Sequence, residues 1–325
     1  MKLHCFSEYD RLRTVALCRP SLVQVQTRNE AEYVCFREPV DPQIAVEAHQ
    51  RLRESLESNG VHTIDFTSYF EDEERALSDQ LVNRTYSRDV AGVIGNALLF
   101  GSAGVDVRKP DFQLAHSALR KAVGTSVISE VTSSIQSSLE FGDFLMLNRS
   151  AILINLGWRT SLDGVMNIKN LIFKSGFEQI GLISLPPDLT LPHLDVVCNV
   201  VGSHLFLASK FLRHVPVRII MQDKEERYEM LPDFVARHGY HVRYLPENHD
   251  PLAYTNFINI DRSTVLASES AVAIRDILAD VQVDVQTVDI TELEKGGGGI
   301  RCLTLPLCRD DENTLSDSKV TSIVS

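Results

Sequence analysis

The stretch "EKGGGGIRCLTLPL", Glu294 to Leu307, sets a cysteine three residues after four consecutive glycines. Glycine loses more backbone entropy on ordering than any other residue, so four together need a physical reason. A phosphate cradle needs a Lys-Ser or Lys-Thr pair after its glycines, and Ile300, Arg301 and Cys302 stand there instead. A dinucleotide fingerprint needs a helix to follow, and the segment that follows is apolar and strand-like. A slack linker has little left to link. The remaining functional reading is a close backbone turn that delivers Cys302 to a pocket. A buried inert thiol is the alternative.

A nucleophilic cysteine needs a histidine to tune it and carry protons. Of ten histidines, His193 in "LPHLDVVCNV" stands at the start of a β-rich run with Asp195 two residues on. In a strand such residues face the same way, so both could look into one cavity. Two further acidic clusters precede β-rich hairpins: Glu140 and Asp143 in "SLEFGDFLML", and Asn83, Arg88 and Asp89 in "NRTYSRDVAG". Carboxylates beside a Cys-His pair suit a cationic substrate, which offsets the cost of burying their charges.

The elements that must position these residues repeat. Four hairpins read from β-branched runs around polar turns: Val90–Gly101 turning at Gly95-Asn96, Phe144–Gly157 at Asn148-Arg149, Val196–Ser209 at Gly202-Ser203 and Asn256–Ser268 at Asp261-Arg262. "LRTVALCRP" near the start and "IRCLTLPL" near the end read as halves of a fifth. Amphipathic helical stretches lie at Asp41–Gly60, Lys109–Gly124, Ser161–Gly176, Tyr228–Gly239 and Glu269–Asp280. Hairpins begin roughly 50–60 residues apart, a repeat period. The expected fold is α/β, one domain over 1–308 built as a ring of five ββα-type units, with a polar tail over 309–325. An unrelated α/β sandwich with chance spacing is the alternative.

The 325 residues are 44% hydrophobic and 23% charged, with a formal net charge of −12 and no basic block. That balance fits a soluble globular protein and argues against nucleic acid as the main partner. No apolar run is long enough to span a bilayer, and the start has no apolar signal region. Six cysteines are scattered without a CxxC pair, which disfavours a disulfide framework or zinc site and fits a cytoplasmic protein with free thiols. Cys5, Cys18, Cys35, Cys198 and Cys308 read as structural.

Together these motifs resemble the guanidino-group-modifying enzymes: arginine deiminase, dimethylarginine dimethylaminohydrolase and the amidinotransferases. "NRTYSRD", "EFGD", "WRTSLDG", "HLD" and "GGGGIRCLT" follow the family's motif order. The resemblance implies a five-bladed α/β propeller. It implies Cys302 as nucleophile, His193 as general acid and base, and Glu140 as its carboxylate partner. Asp89 and Asp195 would grip the guanidinium, Arg159 and Arg108 the substrate carboxylate, and Asn83 the substrate backbone groups. No metal or organic cofactor is implied, and a homodimer is expected by analogy only. The implied reaction is hydrolysis of the guanidino group of arginine or a close derivative. Amidino transfer to an amine is the alternative, and a noncatalytic guanidino sensor a third. There are departures: Phe141 replaces a glycine of the Glu-Gly-Gly-Asp motif, and Gly297 stands where some arginine deiminases have a gating arginine.

Overall fold

The computed structural model describes residues 1–124, 128–129, 137–186, 193–246, 250–271 and 273–310. Its strands, in chain order, are β1 (Leu12–Leu17), β2 (His62–Asp65), β3 (Ala91–Ile94), β4 (Ala97–Phe100), β5 (Ile128–Ser129) and β6 (Phe144–Asn148). Then come β7 (Ala151–Asn155), β8 (Gln179–Ile183), β9 (Cys198–Val201), β10 (Leu205–Ala208), β11 (Pro216–Met221) and β12 (Arg227–Met230). The last are β13 (His241–Tyr244), β14 (Ile258–Asp261), β15 (Thr264–Ser268), β16 (Asp284–Val288) and β17 (Leu305–Arg309).

One topology recurs in five sheets. An antiparallel pair is followed by a crossover and a third strand parallel to the pair's second strand. The sets are β3–β4 with β5, β6–β7 with β8, β9–β10 with β13, β14–β15 with β16, and β17–β1 with β2. A parallel third strand requires a crossover connection, usually helical. Pro42–Ser58, Lys109–Val123 and Leu162–Lys174 supply it between β1 and β2, β4 and β5, and β7 and β8. The fold is mixed α/β, and no sheet among the described residues closes on itself.

The four expected hairpins are present, and the two terminal halves pair as β1 and β17. Two of the turns fall one residue later than expected, at Arg149-Ser150 and Arg262-Ser263, because Asn148 and Asp261 are the last paired residues of their strands. Two helical stretches differ from expectation. Tyr228–Met230 lies in edge strand β12, against β11, and the helix is confined to Leu231–Arg237. Pairing with β11 thus overrides the helical period there. In Glu269–Asp280 the helix is one turn, Ile274–Ile277, and buries Ile274 and Leu278 in a small cluster with Val265 and Ala267. Of the tail expected over 309–325, Arg309 is the buried last residue of β17 and donates to the Asp10 and Asn259 carbonyls. Residues 311–325 lie outside the described residues. No helix among the described residues is long and apolar enough to cross a membrane.

Candidate active site

The short segments leading into the hairpins and β17 are hydrogen-bonded to one another in a cycle. Arg88 N donates to the Cys302 carbonyl (3.1 Å), and Phe141 N to the Asp89 carbonyl (3.1 Å). Leu194 N donates to the Asp143 carboxylate (3.1 Å). Thr255 Oγ1 and Asn256 Nδ2 donate to the Asp195 carbonyl (3.2 and 3.3 Å), and Arg301 N donates back to the Asn256 carbonyl (3.3 Å). The side chains of these segments therefore converge. They meet at a cavity of about 170 Å³ lined by Asn83, Tyr86, Asp89, Arg108, Arg159, His193 and Cys302 on its buried side. Cys35, Arg37, Trp158, Val196 and Gly296–Gly298 complete the lining, and the first three of these are exposed. Glu140 and Asp195 are fully buried just behind His193 and Cys302.

One wall is an ion-pair cluster. His193 Nε2 and Glu140 Oε2 are 2.8 Å apart, and His193 Nδ1 is 3.6 Å from Asp89 Oδ1. Glu140 also accepts from Arg159 Nη1 (2.9 Å) and from Gly104 N (2.7 Å). Burial opposes a charged imidazole, but Asp89, Glu140 and Asp143 together lift His193 to about 10. Burial likewise opposes the Glu140 charge, yet His193, Arg159 and Arg108 draw its carboxyl down to about 2. Arg108 donates to Asp89 (2.9 Å), to Asp111 (2.7 Å) and to the Tyr86 carbonyl (3.2 Å). Asn83 donates to the Val34 carbonyl (2.9 Å) while lining the cavity.

Asp89, Glu140 and His193 lie close enough to hold a metal ion between them. The chemistry of the set does not fit one. Each donor is already committed: His193 Nε2 to Glu140, Glu140 to Arg159 and Asp89 to Arg108, and the two guanidinium charges beside the set oppose a further cation.

The facing wall holds the thiol. Cys302 Sγ accepts from Asn256 Nδ2 (3.0 Å) and lies 3.8–3.9 Å from the Asp195 carboxylate oxygens. Burial and the carboxylates of Asp195 and Asp89 push the thiol well above its ordinary range, and the Asn256 donor opposes them. Burial also raises Asp195, although Arg301 Nε is 3.4 Å away. The glycine run explains the approach. A Cβ at Gly296 would fall 1.8 Å from Tyr86 Oη, and one at Gly298 would fall 2.8 Å from Cys302 Cβ. Gly297 has φ +94°, a conformation that L residues rarely adopt. The expected close turn is what the backbone makes.

All eight residues singled out from the sequence lie in or directly behind this one cavity. The reason given for His193 and Asp195 needs revision: residues 194–196 form a 3₁₀ turn before β9, so strand alternation does not orient them. Their placement comes from the Asp143 carboxylate, which holds Leu194 N, and from the donors on the Asp195 carbonyl. The Phe141 departure is accommodated by Gly92, where a Cβ would lie 2.3 Å from the Phe141 ring. Sequence reasoning missed Asn256 and Arg301. A signal for Asn256 existed, since it leads into a hairpin just as Asp89, Asp143 and His193 do. Cys35, read as structural, is instead exposed at the cavity mouth with φ +64°.

Residues 19–236, more than half of the chain, match the family described as arginine deiminase. The chain belongs to the arginine deiminase family. The matched stretch of this family member contains Asp89, Glu140, His193 and Asp195 and stops short of Asn256 and Cys302. The protein YkgA of Bacillus subtilis is 21% identical over 312 residues, covering 95% of this chain and 96% of that protein. The arginine deiminase of Mycoplasma capricolum subsp. capricolum is 26% identical over 196 residues, 54% of this chain and 48% of that enzyme. The family member thus aligns with about half the length of that deiminase. Among solved structures, SxtG, an amidinotransferase of Microseira wollei, shares the fold at TM-score 0.69 and 15% identity, over 95% of this chain and 98% of that one. Dimethylarginine dimethylaminohydrolase of Pseudomonas aeruginosa, a cysteine-to-serine mutant complexed with citrulline, does so at TM-score 0.67 and 15% identity, over 91% and 99%.

Proposed function

We propose that this protein is a cysteine-dependent hydrolase of the guanidino group of arginine or a close derivative, and that it releases a ureido product. The observation that carries this reading is the facing of Cys302 and Asp195 with His193, Glu140 and Asp89 across one small cavity. The chemistry named for its relatives, arginine deimination and dimethylarginine hydrolysis, fits the same reading. In this reading the five units stand around a common axis as a five-bladed propeller, one catalytic domain over 1–308. The hydrogen-bonded cycle of hairpin-leading segments supports that arrangement.

The substrate guanidinium would sit between Asp89 and Asp195, whose oxygens match its fork of N–H donors. Asp89 Oδ1 is buried and has no hydrogen-bond partner among the described residues, which suits an incoming donor. A cation between the two carboxylates offsets their part in holding the thiol protonated and favours the thiolate against burial. The thiol releases its proton to solvent, and the thiolate attacks the guanidinium carbon. His193, charged and with Nδ1 turned to the cavity, protonates the departing amine. The C–N bond breaks and an S-alkylthiouronium remains. Neutral His193 then takes a proton from water, the hydroxide adds to the same carbon, the C–S bond breaks to return the electron pair to sulfur, and the ureido product gives its extra hydroxyl proton to the thiolate or to solvent. Arg108 and Arg159 hold Asp89 and Glu140 in place, and Asn83 and the arginines line the region that receives the rest of the substrate.

Amidino transfer is the alternative. It needs only an amine in place of water at the thiouronium carbon, and the fold shared with SxtG accommodates either. The deciding experiment is a ureido-product assay on arginine, monomethyl- and dimethylarginine, agmatine and guanidinoacetate, with wild type and Cys302→Ala. Product from one substrate and a loss of about 10⁴-fold or more in the variant are expected. No ureido product from folded wild type, but guanidino transfer to an added amine, would replace hydrolysis with transfer.

A further inference from the structure

We propose that Asn256 is a further catalytic residue of this site, which sets both the aim and the ionisation of the Cys302 sulfur. The inference rests on Cys302 being the nucleophile. Asn256 is buried immediately before β14, and its side chain meets the thiol at two points. Oδ1 accepts from Cys302 N (3.1 Å) and Nδ2 donates to Cys302 Sγ (3.0 Å).

The orientation of the amide is not free. A backbone N–H can only donate, so Oδ1 must face Cys302 N. A backbone carbonyl can only accept, so Nδ2 must face the Asp195 carbonyl, 3.3 Å away. The sulfur therefore always meets an N–H. From the other side Gly299 fixes the position, since a Cβ there would stand 3.0 Å from Asn256 Cβ, O and Oδ1.

An N–H held against sulfur acts on the thiol equilibrium. A thiolate is an acceptor only, and a hydrogen bond to the charged form favours it. Asn256 thus works against Asp195 and Asp89, which favour the neutral thiol. The same amide ties the sulfur to the backbone of Asp195, and so fixes the gap in which a guanidinium must lie. In the first half of the reaction sulfur gives an electron pair to carbon and has less need of the donor. In the second half the C–S bond breaks, sulfur takes the pair back, and the amide receives the returning thiolate.

The test is the rate of Cys302 labelling by 2-chloroacetamidine, read from the mass of its peptide from about pH 6 to about pH 10. Reading the Cys302 peptide separates it from the exposed Cys35. In Asn256→Ala the apparent thiol pKa is expected to rise by about one unit and the rate at neutral pH to fall about tenfold. kcat should fall more than KM rises, because the returning thiolate loses its donor. A labelling profile that overlays wild type, in protein of unchanged thermal midpoint, overturns the proposal. Should Asn256→Ala not fold, Gly299→Ala decides, because the added methyl would stand 3.0 Å from Asn256 Cβ, O and Oδ1 and displaces the amide from the sulfur while leaving the asparagine in place. A shift in the same direction supports the proposal, and an overlay overturns it. If wild-type Cys302 is not labelled and Cys302→Ala keeps turnover, the nucleophile assignment itself has failed, and the role of Asn256 falls with it.

Discussion

Each wall of the cavity sets a buried carboxylate beside an arginine, and the two are poised differently. On the His193 wall, acid and base are both charged: His193 is lifted to about 10 and Glu140 drawn down to about 2. On the Cys302 wall, the thiol and Asp195 are both shifted toward keeping their protons. Burial is nearly complete on both sides, so desolvation does not explain the difference. Partners do. Arg108 and Arg159 give their Nη1 atoms to Asp89 and Glu140. The cation nearest Asp195 is Arg301, which is committed elsewhere. It grips Glu8 with two nitrogens at 2.6 and 3.1 Å, and Glu8 falls to about 2 despite its burial. Among the described residues, the one ion pair of Asp195 is with Arg301 Nε at 3.4 Å. One wall has its ion pairs in place when the chain folds, and the other keeps its protons; in the proposed function an incoming cation completes it.

Glu140→Gln should break this contrast most severely. It removes the carboxylate that holds His193 charged and leaves Arg159 facing a neutral amide. We expect kcat to fall by about 10²–10⁴, with a smaller change in KM. Removing one member of a buried ion cluster should also cost about 3–5 kcal/mol, read by denaturant unfolding. A variant within tenfold of wild type in kcat would mean that Asp89 and Asp143 keep His193 charged without Glu140.

Much of this site was legible because its residues sit at repeated places. Asp89, Asp143, His193 and Asn256 each stand just ahead of a strand pair, and turn residues announce those pairs plainly. What stayed hidden was how side chains divide their partners. Arg108 and Arg159 read as ligands for a substrate carboxylate, yet each is spent at least in part on a catalytic-wall carboxylate 19 residues away in sequence. The pairing of Arg301 with Glu8 spans 293 residues, and no local pattern marks it. Periodicity failed where tertiary pairing overrode it, as at Tyr228–Met230, or where a 3₁₀ turn replaced a strand, as at Leu194–Val196.

The pH dependence of folding sharpens the contrast with a smaller effect. His193 stands at about 10 in the folded chain against 6.5 as its ordinary value. Its contribution is therefore complete below 6.5 and is lost as pH rises through about 10. Glu140 stands at about 2 against 4.5, so its contribution is present above 4.5 and is lost as pH falls through about 2. The thermal midpoint of wild type should hold between those limits and decline on both sides. Both declines should be shallower in Glu140→Gln. Equal slopes in the two proteins would remove the pair from the account of stability.

The smallest effect concerns the mouth, outside both walls. Arg37 lines it, lies against Gly297, and pairs with Asp250, which is half exposed. An exposed pair of this kind is worth about 0.2–1 kcal/mol, so Arg37 can exchange Asp250 for a substrate carboxylate at little cost. Its backbone is fixed, because Arg37 N and Glu38 N both donate to the Lys295 carbonyl. Arg37→Ala should therefore raise KM for arginine by about tenfold, with kcat unchanged, and leave agmatine unaffected because agmatine has no carboxylate. Equal changes for the two substrates would assign Arg37 to the shape of the mouth. No change for either would return the carboxylate to Arg159, whose buried Nε lacks a hydrogen-bond partner among the described residues.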